Sequence, residues 1–338
     1  NALYEAAPAI VQKQMDRFTQ LTGRSYQVYQ YYGAADAEHV IVMMGSGATT
    51  ARRASQLLNG EGRKTGVLVV RLYRPFDMQM FRDALPATVR SVAVLDRTKE
   101  PGATGEPLLL DVMAALFGQR SCSVIGGRYG LSSKEFTPAM AASVFDELRH
   151  PTKERFTVGI EDDVNHTSLA VTAEHRKYNV ENEGFRAVFF GLGADGTVSA
   201  NKNSIKIIGE ETDQFGQCHF VYDSKKSGSV TVSHLRTGPT QASIDAPYLV
   251  QSADLVAVHQ FGLLERLATI DNLREGGILL LNAPYAPDEL FAKLPVDLQK
   301  AAITKRIRIY TIDALDVARS VGLGGRISTV MQAAFFEL

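Results

Sequence analysis

Cysteine is scarce in this 338-residue chain, which contains only Cys122 and Cys218, far apart in the sequence. Two cysteines are too few for a disulfide framework, and too few to ligate a four-cysteine iron–sulfur cluster or a structural zinc ion. Both lie on strand-like segments, so we expect buried thiols in a reducing cytoplasm. The seven histidines include no His-x-x-x-His pair, and no metal site is predicted.

An excess of charge of one sign and a long apolar run are also missing. The 36 Lys and Arg residues are balanced by 37 Asp and Glu residues. This balance gives no reason to expect nucleic acid or an anionic membrane surface as a partner. No run approaches the roughly 18 apolar residues of a membrane span. A Gly-x-Ser-x-Gly turn is absent, which excludes the common serine-hydrolase arrangement.

The chain does contain a regular alternation of apolar strands and amphipathic helices. Such strands are typical of mainly parallel sheets whose two faces are covered by helices. The pattern runs through residues 38–148 and again through 186–338, which predicts two consecutive α/β domains. Residues 1–37 are expected to form a helical connector segment, and 149–185 a polar linker. We expect a central piece of a larger protein, with the second domain truncated at its C-terminus, because the chain starts without Met and stops inside an apolar helical pattern.

A glycine-rich turn is the main candidate for a binding site. Gly191, Gly193 and Gly196, spaced Gly-x-Gly-x-x-Gly, follow an apolar strand and precede a helix; we call residues 191–196 the glycine turn. Glycines let the backbone approach a ligand closely, and the helix start presents free N–H groups to an anion. The predicted contact residues in this part of the chain are Gly191, Gly193, Ala194, Asp195, Gly196, Thr197, Asn201, Lys202 and Asn203.

A second predicted contact segment follows the next strand. A dinucleotide site needs an acid about 20 residues after the glycines, whereas the candidate, Asp223, lies further along the chain. It is followed by Ser224, Lys225, Lys226, Ser227 and Gly228. Two lysines beside the acid favour an additional phosphate over a bare ribose. If the strands that end at Leu192 and Asp223 are adjacent in a doubly wound sheet, their loops share one crevice. From spacing alone, an NAD site, a site for another phosphate-bearing ligand, and mere helix–strand packing all stay open.

Several long motifs resemble the pyruvate:ferredoxin (flavodoxin) oxidoreductase family, and the likeness covers nearly the whole chain. The motifs are VLDRTKEPGATGEP at 94–107, GGRYGLSSKEFTP at 126–138, GLGADGTVSANKNSIKIIGE at 191–210 and VYDSKKSGSVTVSHLR at 221–236. The first part, including RLYRPF at 71–76, resembles the transketolase C-terminal-like domain II of that family. The second part resembles its gamma-type domain III.

The resemblance implies oxidative decarboxylation of pyruvate on thiamine diphosphate and Mg²⁺, with transfer of the acetyl group to coenzyme A. Electrons would leave through [4Fe-4S] clusters to ferredoxin or flavodoxin. It further implies that the thiamine and cluster sites lie in other domains of the same polypeptide, which is expected to form a homodimer in the cytoplasm. The chain alone would then be inactive and hold no catalytic residue.

For the glycine turn the resemblance implies coenzyme A, whose diphosphate and 3′-phosphate match the turn and the lysine pair, in place of NAD. In the alternative hypothesis, both domains are scaffold for the thiamine domains and for dimerisation and bind no small molecule.

Overall fold

A computed structural model of the chain describes residues 2–181, 183–223 and 228–338. The chain divides into two compact units, Asn1–Val180 and Glu181–Leu338. Within the residues described, no helix is both long enough and apolar enough to cross a membrane.

The part of the first unit that is described contains one six-stranded sheet with helices on both faces. Its strands are β1 (Tyr29–Gly33), β2 (His39–Met43), β3 (Thr65–Val70), β4 (Ser91–Asp96), β5 (Ser123–Tyr129) and β6 (Arg155–Val158). Its helices are α1 (Ala2–Thr22), α2 (Gly47–Gly60), α3 (Met78–Asp83), α4 (Pro107–Leu116), α5 (Pro138–Arg149) and α6 (Ala173–Arg176). The strand order is β1-β3-β2-β4-β5-β6, and only β1 runs antiparallel to its neighbour within these strands.

The middle strands are apolar because both of their faces are covered. Every residue of β3 and β4 is buried. One face packs against α2 and α5, and the other against α3 and α4. Asp96, at the end of β4, accepts hydrogen bonds from the N–H groups of Leu108 and Leu109, both at 3.1 Å, and so fixes the start of α4 on the sheet.

Both outer strands of this sheet come from stretches that the sequence predicted to be connectors. Strand β1 lies within residues 1–37, and β6 lies within 149–185. In β6, Arg155 is exposed while Phe156 and Val158 are buried. Such a short, half-polar segment resembles a linker in composition, although it pairs in parallel with β5.

The second unit also contains a six-stranded sheet among its described residues. Its strands are β7 (Phe185–Leu192), β8 (Phe215–Tyr222), β9 (Val230–Gly238), β10 (Ala253–Val258), β11 (Leu273–Asn282) and β12 (Arg308–Ile312). Its helices are α7 (Thr197–Glu211), α8 (Gln241–Ile244), α9 (Pro287–Lys293), α10 (Val296–Thr304), α11 (Ala314–Ser320) and α12 (Ile327–Glu337). The strand order is β12-β11-β10-β7-β9-β8.

The two sheets confirm the predicted fold class of two consecutive α/β domains with mainly parallel strands. The predicted adjacency of β7 and β8 is wrong, however, because β9 lies between them and runs antiparallel to both. The chain reverses in a hairpin after β8, whereas a doubly wound sheet would continue with a helical crossover. The register pairs Leu192 with Val230 and Tyr222 with Thr231. The described residues on either side of the loop between β8 and β9 therefore lie at the edge of the sheet where β7 ends.

Candidate functional site

The glycine turn connects β7 to α7, and its glycines permit close internal contacts. Gly196 has a positive φ of 82° immediately before the helix. A Cβ atom at Gly191 would lie 2.2 Å from the Thr197 hydroxyl oxygen, and one at Gly193 would lie 2.8 Å from the Ser229 hydroxyl oxygen. Side chains larger than hydrogen at these positions would push the turn away from its neighbours.

The Asp195 carboxylate is the centre of the turn. Its Oδ2 accepts from the Leu192 N–H at 2.7 Å, and its Oδ1 accepts from the Thr197 N–H at 2.9 Å and the Thr197 hydroxyl at 2.6 Å. A carboxylate at a helix N-terminus satisfies free N–H groups and complements the positive end of the helix dipole. The turn therefore already carries a built-in anion.

A buried histidine extends this hydrogen-bond network. The Thr197 Oγ1 lies 2.7 Å from Nδ1 of His259, the residue that follows β10. Because the single Thr197 hydroxyl proton goes to Asp195, the His259 Nδ1 must donate to Thr197. Burial holds the pKa of His259 below its ordinary value, so the ring is neutral. The backbone of His259 is also fixed, by Phe190 and by the Asn282 side chain.

Sequence reasoning did not include His259 in the site, since a histidine at a strand end is ordinarily a hydrogen-bonded core residue. Its position one residue beyond β10, at the sheet edge that carries the glycine turn, is the signal that could have found it.

Four backbone N–H groups at the turn already have partners inside the protein, namely those of Leu192, Gly193, Asp195 and Thr197. Four others make no hydrogen bond with any residue that the structure describes, namely those of Ala194, Gly196, Val198 and Ser199. Unpaired N–H groups at the start of a long helix are suitable donors for an anionic ligand. About half of the N–H groups at the turn and the start of α7 are therefore available to an anionic ligand.

The remaining predicted contact residues differ in their surroundings. Asn201 is only 2% exposed, and its buried Nδ2 has no hydrogen-bond partner within the described parts of the chain. Lys202 and Asn203 are exposed, and the Lys202 ammonium lies 5.4 Å from the Phe220 ring centre. Gly228 has a positive φ of 63°. Ser224, Lys225, Lys226 and Ser227 lie outside the described residues, so the role of the lysine pair stays a prediction.

The loop between β8 and β9 is held against the glycine turn at its C-terminal end. The Gly193 N–H donates to the Ser229 carbonyl at 2.9 Å, and the Asp223 N–H donates to the Val230 carbonyl at 3.0 Å. Asp223 and Ser229, which flank the second predicted contact segment, therefore lie at the sheet edge that carries the glycine turn. The β8–β9 hairpin brings them there, and not an adjacent parallel strand. Apart from Gly228, the segment itself lies outside the described residues, so its contact with the turn stays a prediction.

The cysteines have the properties of structural thiols. Cys122 and Cys218 are both partly buried, in different units. Burial raises the pKa of both thiols, that of Cys218 to about 12. Such thiols are poor nucleophiles and poor metal ligands at neutral pH. In the regions described, no group of three or more His, Cys, Asp or Glu residues is placed to hold a metal ion.

We expect Asp195→Ala to loosen the glycine turn by about 1–3 kcal/mol, because it leaves the buried Thr197 hydroxyl and two N–H groups without their acceptor. Amide hydrogen exchange of residues 192–197 should accelerate correspondingly. Asp213→Ala is the control, since Asp213 is exposed in the same unit. Equal exchange rates in the two variants would contradict a structural role of the Asp195 carboxylate.

Comparison with known proteins gives two consecutive family matches. Residues 37–139 match the model of pyruvate:ferredoxin oxidoreductase core domain II, and residues 186–338 match that of pyruvate ferredoxin/flavodoxin oxidoreductase. The chain is 54% identical over 344 residues to a pyruvate-flavodoxin oxidoreductase of Trichormus variabilis, and 48% identical over 340 residues to a pyruvate:ferredoxin oxidoreductase of Moorella thermoacetica. The chain belongs to the pyruvate:ferredoxin (flavodoxin) oxidoreductase family.

The family membership predicted from the sequence motifs is thereby confirmed. Both alignments cover 100% of this chain, but only 28% and 29% of the lengths of the two relatives. The chain thus corresponds to less than a third of their length. Among solved structures, a pyruvate oxidoreductase subunit from Thermotoga maritima has 24% sequence identity and a TM-score of 0.36, covering 45% of this chain and 74% of that one.

Proposed function

We propose that the chain is the central part of an enzyme that oxidatively decarboxylates pyruvate, transfers the acetyl group to coenzyme A and passes electrons to ferredoxin or flavodoxin. The observation that carries this proposal is the 44–54% identity, over the full chain, to relatives named pyruvate-flavodoxin or pyruvate:ferredoxin oxidoreductase. The enzyme would be a cytoplasmic homodimer. Residues 38–148 would form its domain II and 186–338 part of its gamma-type domain III.

In this proposal the thiamine diphosphate and the iron–sulfur clusters are bound by other domains of the polypeptide. The residues of the present chain do not fit a [4Fe-4S] cluster, because its two cysteines cannot supply four thiolate ligands. We therefore assign the chain no catalytic residue. By itself it should not oxidise pyruvate.

We assign the chain a part of the coenzyme A site. The N–H groups of Ala194, Gly196, Val198 and Ser199 would donate to the diphosphate. The Asp195 carboxylate repels a second anion, so additional positive charge is needed nearby. Lys225 and Lys226, in the loop that is attached to the turn at Ser229, would supply that charge and bind the 3′-phosphate.

A second candidate function is pure scaffold, and one observation favours it. Asp195 and Ser229 already accept four hydrogen bonds from the turn and the Thr197 side chain, so the glycines have a structural purpose without any ligand. In that case both units would serve only to position the thiamine domains and to mediate dimerisation.

Steady-state kinetics of the full-length enzyme distinguish these functions. We expect the double variant Lys225→Ala/Lys226→Ala to raise the KM for coenzyme A by roughly two- to thirtyfold, since each of the two exposed ion pairs contributes about 0.2–1 kcal/mol. The KM for pyruvate should be unchanged. Dephospho-coenzyme A, which lacks the 3′-phosphate, should respond much less to the double change.

The matched control is Lys206→Ala/Lys300→Ala, which removes two exposed lysines that pair with Glu210 and Asp297. If coenzyme A and its dephospho form respond equally, the lysine pair does not bind the 3′-phosphate. If neither responds, the scaffold function is favoured. A wild-type enzyme that does not reduce flavodoxin, ferredoxin or a viologen dye with pyruvate would contradict the oxidoreductase proposal itself.

A further inference from the structure

A small cavity in the first unit lies between β5, β6, the start of α4 and the loop at 162–167. Its volume is about 170 Å³, and two arginines line it, Arg128 and Arg155. Pockets for drug-sized ligands occupy about 300–1,000 Å³. This cavity therefore has room for a small ion or for one functional group of a larger molecule.

The strand register explains why the two arginines converge. In the parallel pairing of β5 with β6, Gly126 lies opposite Arg155, and Arg128 lies opposite Thr157. Paired residues point to the same face of a sheet, and residues two apart along a strand do so as well. Arg128 and Arg155 are therefore diagonal neighbours on one face. Gly126, which has no side chain, lies between them.

Gly126 cannot easily be replaced, because a Cβ atom there would lie 2.4 Å from a methyl group of Leu109 in α4. In the same helix the N–H groups of Leu108 and Leu109 are not free to bind a ligand in the cavity, because Asp96 accepts hydrogen bonds from both. Positive charge in the cavity thus comes from the arginine side chains and not from the helix start.

Both acids that line the cavity already accept hydrogen bonds, and the partner of Glu106 is Arg128 itself. The Glu106 Oε1 accepts from the Arg128 Nε at 2.6 Å, and the Glu106 side chain is nearly buried. Asp162 accepts from the N–H groups of Val164, Asn165 and Thr167 and from the Thr167 hydroxyl. These hydrogen bonds lower the pKa of Asp162 to about 2 and keep the loop folded over the cavity.

The arginines, in contrast, have donors to spare. The Arg155 side chain makes no hydrogen bond or ion pair with any residue in the described ranges, and the Arg128 side chain uses only its Nε there. A guanidinium presents five N–H donors in a planar fork that matches the two oxygens of a carboxylate or phosphate. Asn165 also lines the cavity. The cavity thus offers donors to an anion while its own acids are already bonded.

We propose that this cavity binds a small oxyanion, a phosphate or a carboxylate, between Arg128 and Arg155. The anion could be free in solution, or it could be the carboxylate of an acidic side chain from the rest of the full-length polypeptide. Both sources present the same chemistry to the two guanidinium groups. The proposal concerns the first unit and is independent of the coenzyme A site proposed in the second.

The test is hydrogen exchange of the 338-residue chain with and without inorganic phosphate, and separately with acetate. We expect either anion to slow the exchange of residues 155–168 in a saturable manner, because it joins β5, β6 and the loop at 162–167. Reading out this segment separates the cavity from any phosphate binding in the second unit. Arg155→Gln should raise the half-saturating phosphate concentration by about tenfold, because it removes one bidentate charged pair.

Two further variants test specificity. Arg155→Lys keeps the charge but not the fork, and should retain an intermediate affinity. Arg17→Gln, which removes an exposed arginine of α1, should behave as the unaltered chain. Absence of saturable protection at residues 155–168, or equal affinity of the Arg155→Gln variant, would overturn the proposal.

The full-length protein distinguishes the two sources. If residues 155–168 are protected there before phosphate is added, and Arg155→Gln removes that protection, the anion is a carboxylate of the polypeptide. If protection appears only with added phosphate or acetate, the anion is free. If Arg155→Gln alters protection in neither case, the site does not exist in the full-length protein and the proposal fails.

Discussion

Glu181→Ala is expected to lower the free energy of unfolding of the second unit by about 3–5 kcal/mol, the usual result of removing one partner of a buried ion pair. The Glu181 carboxylate lies just before β7 and binds Arg236 of β9, with Nε–Oε2 and Nη2–Oε1 distances of 3.2 and 3.4 Å. Both side chains are only 3% exposed. Arg236 also donates to the carbonyls of Ala246 and Tyr248, which cannot neutralise its charge.

Guanidinium denaturation, monitored by the hydrogen exchange of residues 183–338, would measure this loss of stability in the second unit alone. Glu183→Ala is the matched control, since Glu183 is exposed two residues further along the same segment. The double variant Glu181→Leu/Arg236→Met should recover most of the lost stability, because no buried charge is left without its partner. A Glu181→Ala chain as stable as the Glu183→Ala chain would contradict the importance of the pair.

Acid is expected to destabilise the same unit through His234. Burial, assisted by the positive charge of Arg236, lowers the pKa of His234 from its ordinary 6.5 to about 4. In this range the unfolded chain binds a proton that the folded chain does not, so stability falls as the pH drops from about 6.5 towards 4. The loss from His234 should reach about 3 kcal/mol. Buried His259, whose pKa is also lowered, contributes in the same direction.

Comparison of unfolding free energies at pH 7 and pH 4.5 tests this expectation. The His234→Gln variant keeps an acceptor for the Val250 N–H, which now donates to the His234 Nδ1 at 3.2 Å, but it cannot be protonated. Its stability should therefore depend less on pH than that of the unaltered chain. His150→Gln, at an exposed position of the first unit, should leave the pH dependence unchanged. Identical pH profiles for both variants would show that His234 does not titrate as described.

The sequence predicted the inner strands well because their burial is visible in their composition. Strands such as β3 and β4 are apolar at every position or nearly so, and few other structures require that. The outer strands β1 and β6 are shorter and half-polar, so they resembled connectors. The order of the strands within a sheet cannot be deduced from hydrophobic periodicity either. Nothing in the apolar pattern of β8 and β9 separates a hairpin from a crossover, so the sequence alone predicts β7 and β8 side by side.

For the candidate site, the sequence predicts the glycine turn between β7 and α7 but not its internal hydrogen bonds. The use of Asp195 as an internal acceptor depends on the distance between its carboxylate and Thr197, which spacing cannot show. His259 is 62 residues away from Thr197 in the sequence and reaches it only because β10 pairs with β7. Only composition indicates a role for the lysine pair at 225–226, and its position remains a prediction.

The β8–β9 hairpin also affects the order in which the candidate site can form during folding. The glycine turn and α7 lie within the continuous stretch 185–238. There the β8–β9 hairpin closes chain loops of 9–23 residues and the β7–β9 pairing closes loops of 38–52 residues, whereas the β7–β10 pairing that brings in His259 closes loops of 68 residues. Short loops cost less entropy to close, so such regions tend to form early. His259 arrives later, with β10, by a long-range contact. The turn would therefore first assemble around Asp195 and be locked afterwards, when His259 bonds to Thr197.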